Sequence, residues 1–235
     1  MTETSPNLLK TRRFLPLFAT QFLGAMNDNL MKQALIVMIT FGLLQSSDIS
    51  PQILVTMAAG IFILPFFLFS ATAGQIGDKF EKSASIRSIK IAEIFIMALA
   101  VVGFHLSNTY FLIFVLFIMG TQSTFFGPLK YGILPIHLKE NELIGGNALI
   151  EGGTFLAILI GTIAGGLLIV ANQGITVVSV ALLSVALLGW LASRSIPKAD
   201  AAEPDLKINA NIFQESWRMV ARARETRSVF LSIIG

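Results

Sequence analysis

Residues 14–44 read FLPLFATQFLGAMNDNLMKQALIVMITFGLL, an apolar run broken in its middle by Asn27-Asp28-Asn29 and, one helical turn later, by Lys32. A helix of that length is enough to cross the roughly 30 Å hydrocarbon layer of a bilayer, which takes about 20 residues. A lone charge near the bilayer centre costs roughly 2.5 kcal/mol or more, so charges survive there when paired or when facing a polar pathway. Asp28 and Lys32 are spaced i,i+4 and can pair on one helix face. The stretch therefore reads as a membrane span with a polar site inside it.

The remaining sequence fits that reading. Of 235 residues, 54% are hydrophobic and 13% charged, and the mean hydropathy is +0.75. Soluble domains carry about 25% charged residues, so the solvent for this much apolar sequence must be lipid. Six apolar segments stand out, at about 14–44, 52–74, 86–106, 109–127, 144–170 and 175–193. The first and fifth exceed the length of a simple span, which implies tilt, a kink or a break. Polar links such as Ser46-Ser47-Asp48, Ser107-Asn108 and Asn172-Gln173-Gly174 separate them. Alternation of period two is weak, so helices and not a barrel satisfy the backbone in lipid.

The expected fold is an all-α membrane protein. A tail at 1–13 leads into a six-helix transmembrane bundle at 14–193. A cytoplasmic linker follows at 194–228, and a truncated seventh span starts at 229–235. Within the linker, Ile212 to Arg227 has the spacing of an amphipathic helix, with Arg218, Arg222, Arg224 and Arg227 suited to an anionic leaflet. The apolar run after Arg13 continues through a polar cluster, which argues against a cleaved signal peptide. Of 17 lysines and arginines, Lys32 alone is assigned to a span. The others fall in the tail, in 75–90, in 128–142 or after residue 193, which places both ends in the cytoplasm.

Cysteine is absent, which excludes disulfides, thiolate nucleophiles and thiolate metal sites. His105 and His137 are too few for a histidine-rich metal site. His137 has Glu142 five residues on, where glycerolipid acyltransferases carry an aspartate after a histidine and four intervening residues, so catalysis in this segment is not expected. No cofactor, no metal and no nucleic-acid partner is expected.

Gly74-Gln75-Ile76-Gly77-Asp78-Lys79-Phe80-Glu81-Lys82 resembles the signature loop between the second and third helices of major facilitator superfamily transporters. It departs from that pattern at Glu81, where a glycine is common. The resemblance implies a conformational latch at Gly74, Gly77, Asp78 and Lys79. Its aspartate would cap a helix of the opposite half, a contact worth several tenths to about 2 kcal/mol. The plainer reading is an ordinary tight, charged loop. Six spans plus a linker also look like one half of such a transporter.

Asn27-Asp28-Asn29, together with Gly127-Pro128-Leu129-Lys130-Tyr131-Gly132-Ile133-Leu134-Pro135 after the fourth segment, resembles the bacterial lysophospholipid transporter family. The same pattern is similar to the N-terminal part of fused acyltransferase and acyl-carrier-protein synthetase proteins. The resemblance covers essentially the whole chain. It implies transport of a lysophospholipid, chiefly lysophosphatidylethanolamine, from the outer to the inner leaflet of the bacterial inner membrane for reacylation. The implied partners are membrane lipids, a C-terminal transporter half and a fused or separate acyltransferase.

Such a headgroup needs fixed charges of both signs beside an apolar wall. Asp28, flanked by Asn27 and Asn29, can meet an ammonium; Lys32 or Lys130 can meet a phosphate. Alternatively Asp28 and Lys32 neutralise each other as a structural pair. Glu151 lies nine residues after Glu142, about 13 Å deeper along a helix, and reads as a buried carboxylate. It binds the headgroup, binds a coupling cation, or satisfies a neighbouring helix. Gly161, Gly165 and Gly166 form a small-residue face for close packing. Glu93, three residues after Lys90, is placed near the boundary with a local partner, a proton-coupling role being less favoured. His105 reads as an interfacial histidine. Two rivals remain, a cation-coupled carrier of a small polar solute and a membrane anchor for an enzyme. A lipid route requires a laterally open apolar crevice, and a small-solute route a closed polar cavity.

Overall fold

A computed structural model describes residues 7–43 and 49–209. The Ser46-Ser47-Asp48 link, the amphipathic segment at 212–227 and the apolar run at 229–235 lie outside the described residues. Six long helices follow in chain order: α1 (Leu15–Thr40), α2 (Pro51–Lys79), α3 (Lys82–His105), α4 (Thr109–His137), α5 (Leu143–Ile169) and α6 (Gly174–Ser193). No strand occurs among the described residues.

Local chemistry sets the ends of these helices. Proline occupies the first turn of α1 and α2, where its missing N–H costs nothing. The Asn108 side chain caps α4 by accepting from the Phe111 N–H at 3.0 Å. Gln173 takes a left-handed φ of 55° between α5 and α6. The next residue has to be glycine, because a β-carbon at Gly174 would fall on the Ile169 carbonyl.

Four helices, α2, α4, α5 with its preceding turn, and α6, are long and apolar enough to cross a membrane. α1 and α3, of 26 and 24 residues, have the length but carry the polar residues of the bundle's interior. Outward side chains are apolar, with Phe67, Phe95, Leu167 and Ile144 all exposed. This is the surface expected of a multi-pass membrane protein, whose solvent is hydrocarbon.

The helices pack side by side in the order α5–α1–α6–α3–α4–α2, an arc whose two ends do not pack against each other. Exchanging α1–α3 for α4–α6 maps the α1–α5 contact onto α4–α2 and the α1–α6 contact onto α4–α3. The contact pattern of α1–α3 is thus repeated by α4–α6.

Two helix limits differ from the sequence reading by five residues or more. α2 runs through Lys79, so Gly74, Gly77, Asp78 and Lys79 lie in its last turns and not in a loop. α4 continues ten residues past the expected limit of 127, so the Gly127–Pro135 motif is helical despite Pro128 and Pro135. Packing holds that extension, since Leu129, Ile133 and Leu134 are buried in the apolar cluster at this end.

That end carries most of the basic residues, and several contacts lock it. Arg13 donates two hydrogen bonds to Glu142, at 2.6 and 2.7 Å, and a third to the His137 carbonyl at 3.0 Å. The bidentate guanidinium and the Lys139 N–H, at 2.8 Å, together satisfy the Glu142 carboxylate. Glu81, the departure from the superfamily pattern, caps α3 through the Ser83 and Ala84 N–H groups at 3.0 and 2.7 Å. It also accepts from the Ala199 N–H at 2.9 Å, while the Lys82 N–H donates to the Ala199 carbonyl. Burial alone would raise the Glu81 carboxyl, but these bonds and the Ser83 hydroxyl outweigh it and bring it to about 2.

The segment after α6 is thereby strapped across the ends of α2 and α3, with Ile196 and Ala199 buried in the same apolar cluster. Glu81→Ala should cost about 0.5–2 kcal/mol of stability through the lost cap. Amide exchange at Lys82 and Ala199 should accelerate together; unchanged protection at both would refute the strap.

Candidate functional site

The apolar interior of the bundle is split in two. One cluster gathers the later turns of α1 and α3, the first turns of α2 and α4, and the middle of α6. The other gathers Leu17, Ile86, Leu129 and Ile150 at the basic end. Between them, α1, α3 and α4 each present polar side chains at one level: Gln21, Asn27 and Asp28, then Lys90 and Glu93, then Gln122 and Ser123. All of these but Asn27, which is buried behind them, surround a chamber of about 390 Å³ together with Lys32, Lys130, Tyr131 and Thr154. A second, apolar cavity of about 250 Å³ adjoins it, lined by Ile36, Ala58, Ile63 and Leu116. Asn29, Lys32 and Phe62 border both.

Charges in the chamber are unevenly satisfied. Lys90 and Glu93 form a short, fully buried ion pair. Glu93 also accepts from the Asn27 amide at 3.3 Å and the Gln122 amide at 3.4 Å. At the mouth, Glu151 accepts from the Tyr131 hydroxyl in a short hydrogen bond, and Lys130 lies 3.8 Å away. Asp28 accepts from the Ser123 hydroxyl at 2.7 Å through Oδ2, and its buried Oδ1 has no donor among the described residues. Lys32 places its ammonium 4.2 Å from the centroid of the Phe62 ring. Neither Asp28 nor Lys32 enters an ion pair within 4.0 Å among the described residues.

The alternative of an Asp28–Lys32 ion pair is therefore not formed: Asp28 is held by Ser123, and Lys32 lies over the Phe62 ring. Glu151 is not buried, its side chain being 45% exposed. Asn29 turns its amide back to the Ala25 carbonyl at 2.7 Å. Glu93 pairs with Lys90, but at the mid-level of the bundle and not at its boundary. Lys90 and Lys130 lie within α3 and α4, so Lys32 is not the sole basic residue inside an apolar helix. Sequence reasoning missed Gln122, Ser123 and Tyr131. Gln122 and Ser123 are polar residues inside the apolar α4, a signal of the kind that singled out Asp28.

The glycines divide by what they touch. β-Carbons at Gly161 and Gly165 would fall on the Met26 and Leu30 carbonyls of α1, whereas Gly166 faces the Gln33 side chain at 3.6 Å. A β-carbon at Gly77 would lie 3.4 Å from Pro128 of α4, and one at Gly74 would have open space around it. The Asp78 backbone carbonyl accepts from the Glu203 N–H at 2.9 Å, tying the segment after α6 to the end of α2. His105 is exposed and bonds the Val101 carbonyl, and His137 meets the Lys198 carbonyl at 3.5 Å. No three His, Asp or Glu side chains among the described residues gather to hold a metal ion.

No family model matches the chain. Known relatives do. Over 95% of its length the chain is 32% identical to the lysophospholipid transporter LplT of Salmonella typhi, covering 50% of that protein. Over 96% of its length it is 29% identical to the lysophospholipid transporter LplT of Cronobacter sakazakii, covering 51% of it. The counterpart in Salmonella arizonae is 30% identical over 91% of the chain and is covered to 48%. The chain thus spans about half the length of the curated relatives it matches.

Proposed function

We propose that this chain, which belongs to the lysophospholipid transporter family, forms the N-terminal six-helix half of a major facilitator transporter that carries lysophospholipid inward across the bacterial inner membrane. The cargo is chiefly lysophosphatidylethanolamine, delivered from the outer to the inner leaflet for reacylation by a fused or separate acyltransferase. One observation carries the reading: a chamber with one uncommitted charge of each sign abuts an apolar cavity. Asp28 receives the ammonium, with Asn27 and Asn29 beside it. Lys32 receives the phosphate, and the acyl chain lies along Ile36, Ala58 and Ile63. Lys130 and Glu151, paired at the mouth, exchange that pairing for contacts with the passing headgroup.

The repeated contact pattern of the two three-helix units supports the superfamily assignment, since nested repeats underlie alternating access about a midplane site. In this reading a second half covers the open side of the chamber between α2 and α5. Gly74, Gly77, Asp78 and Lys79 serve as the latch against it, and the basic end faces the cytoplasm. A small-solute carrier would have no use for the adjoining apolar cavity.

The test uses the full-length protein in spheroplasts that lack their own lysophospholipid uptake. Labelled lysophosphatidylethanolamine added outside should reach the inner leaflet with the wild-type protein. Wild-type protein at normal abundance that delivers none would refute the lipid assignment.

A further inference from the structure

The buried Lys90–Glu93 pair takes no part in the scheme above, yet it stands beside the residue that matters most. Lys90 reaches out of α3 between two glycines. A β-carbon at Gly24 of α1 would lie 2.7 Å from its ammonium, and one at Gly189 of α6 would lie 3.2 Å from it. Gly24 is four residues before Asp28 and Lys32 four residues after it, so the three share one face of α1 at steps of about one turn. Asp28 therefore sits between two ammonium groups, Lys90 on one side and Lys32 on the other. Glu93 removes one of them: it binds Lys90 directly and is fixed in place by Asn27 and Gln122.

Resting on the lysophospholipid reading, we propose that Glu93 determines headgroup specificity by neutralising Lys90, so that the chamber presents a single plus–minus pair matched to a zwitterionic headgroup. With Glu93 in place the order along α1 is apolar cavity, Lys32 cation, Asp28 anion, neutral pair. That is the order of acyl chain, phosphate and ammonium in lysophosphatidylethanolamine. Without the Glu93 charge, the Lys90 ammonium turns to the nearest remaining carboxylate, Asp28, one turn away. Asp28 is then occupied, and the chamber gains a net positive charge that favours an anionic headgroup. Removing Lys90 instead leaves Glu93 as a second anion near Asp28 and disfavours anionic headgroups.

The two single variants thus push selectivity in opposite directions, which a merely structural pair would not do. The measurement is uptake of lysophosphatidylethanolamine and of lysophosphatidylglycerol by full-length protein in the same spheroplasts, expressed as their ratio. Glu93→Gln should lower the ratio by about tenfold and Lys90→Met should raise it, as expected when one charge is added to or removed from a desolvated site. The double variant Glu93→Gln/Lys90→Met should return the ratio to within about threefold of wild type, because neutral replaces neutral. Equal proportional losses for both lipids in the two single variants would overturn the proposal. If either single variant fails to accumulate, the double decides: a ratio far from wild type would overturn it. Failure of the lysophospholipid reading itself would show separately, as wild-type protein that takes up neither lipid.

Discussion

Asp28→Asn is expected to lower lysophosphatidylethanolamine uptake by about two to three orders of magnitude at equal protein abundance. The substitution keeps size and the ability to accept from Ser123, and removes only the charge. A desolvated charge-assisted contact that loses one partner costs about 2–5 kcal/mol, and each 1.4 kcal/mol is tenfold. No other chamber carboxylate can substitute. Glu93 is saturated by Lys90, Asn27 and Gln122, and Glu151 stands at the mouth, away from Asp28, where it meets the headgroup only in passing. The uptake assay in spheroplasts measures this directly. Asp28→Asn protein that retains more than about a third of wild-type uptake would remove Asp28 from the headgroup site, since so small a loss is under 1 kcal/mol.

Gly161→Ala should be among the most damaging single-methyl changes in the bundle. The new β-carbon would fall on the Met26 carbonyl oxygen, a backbone atom with no rotamer to escape to. Gly165 meets the Leu30 carbonyl in the same way one turn on, so α1 and α5 touch backbone to backbone over this stretch. Overpacking of this kind costs about 1–3 kcal/mol, and the upper end applies where no side chain can yield. Gly152→Ala on the same helix has open space around it and should gain up to about 1 kcal/mol from helix propensity. Thermal unfolding of the two purified full-length variants in detergent compares the same chemical change at a closed and an open site. Equal midpoints would contradict the backbone contact. Met26 immediately precedes Asn27 and Asp28, so Gly161→Ala should also displace the headgroup site.

The sequence made the helices legible because lipid solvent demands long apolar runs, and polar residues inside such runs are too costly to be accidental. Hence the chamber could be found from Asp28, and its apolar surroundings from composition. Partners were harder. Asp28 and Lys32 are neighbours on a helical face, but Phe62 and Ser123 come from helices that only the fold brings near. Glu93 looked peripheral because Lys90 was counted with a loop; α3 in fact begins at Lys82 and carries both side chains inward. The extent of α4 was obscured by Pro128 and Pro135, whose lost hydrogen bonds are offset by packing of Leu129, Ile133 and Leu134. Glu81 read as a departure from a familiar pattern, and its role as cap and strap needed Ala199, more than a hundred residues away.

An arc of helices with unjoined ends is mechanically a split ring. Spreading the gap between α5 and α2 parts no tightly packed pair of helices, whereas deformation elsewhere must pull apart surfaces such as the glycine-to-carbonyl seam of α1 and α5. The wall is therefore soft in one direction and stiff in the others. Lys32 on the Phe62 ring ties α1 to α2, as Tyr131 and Lys130 on Glu151 tie α4 to α5, and it is made of the same ammonium that a phosphate would draw away. A phosphate that took Lys32 from Phe62 would remove one of these ties and leave the others, softening the wall on the side where it is already soft.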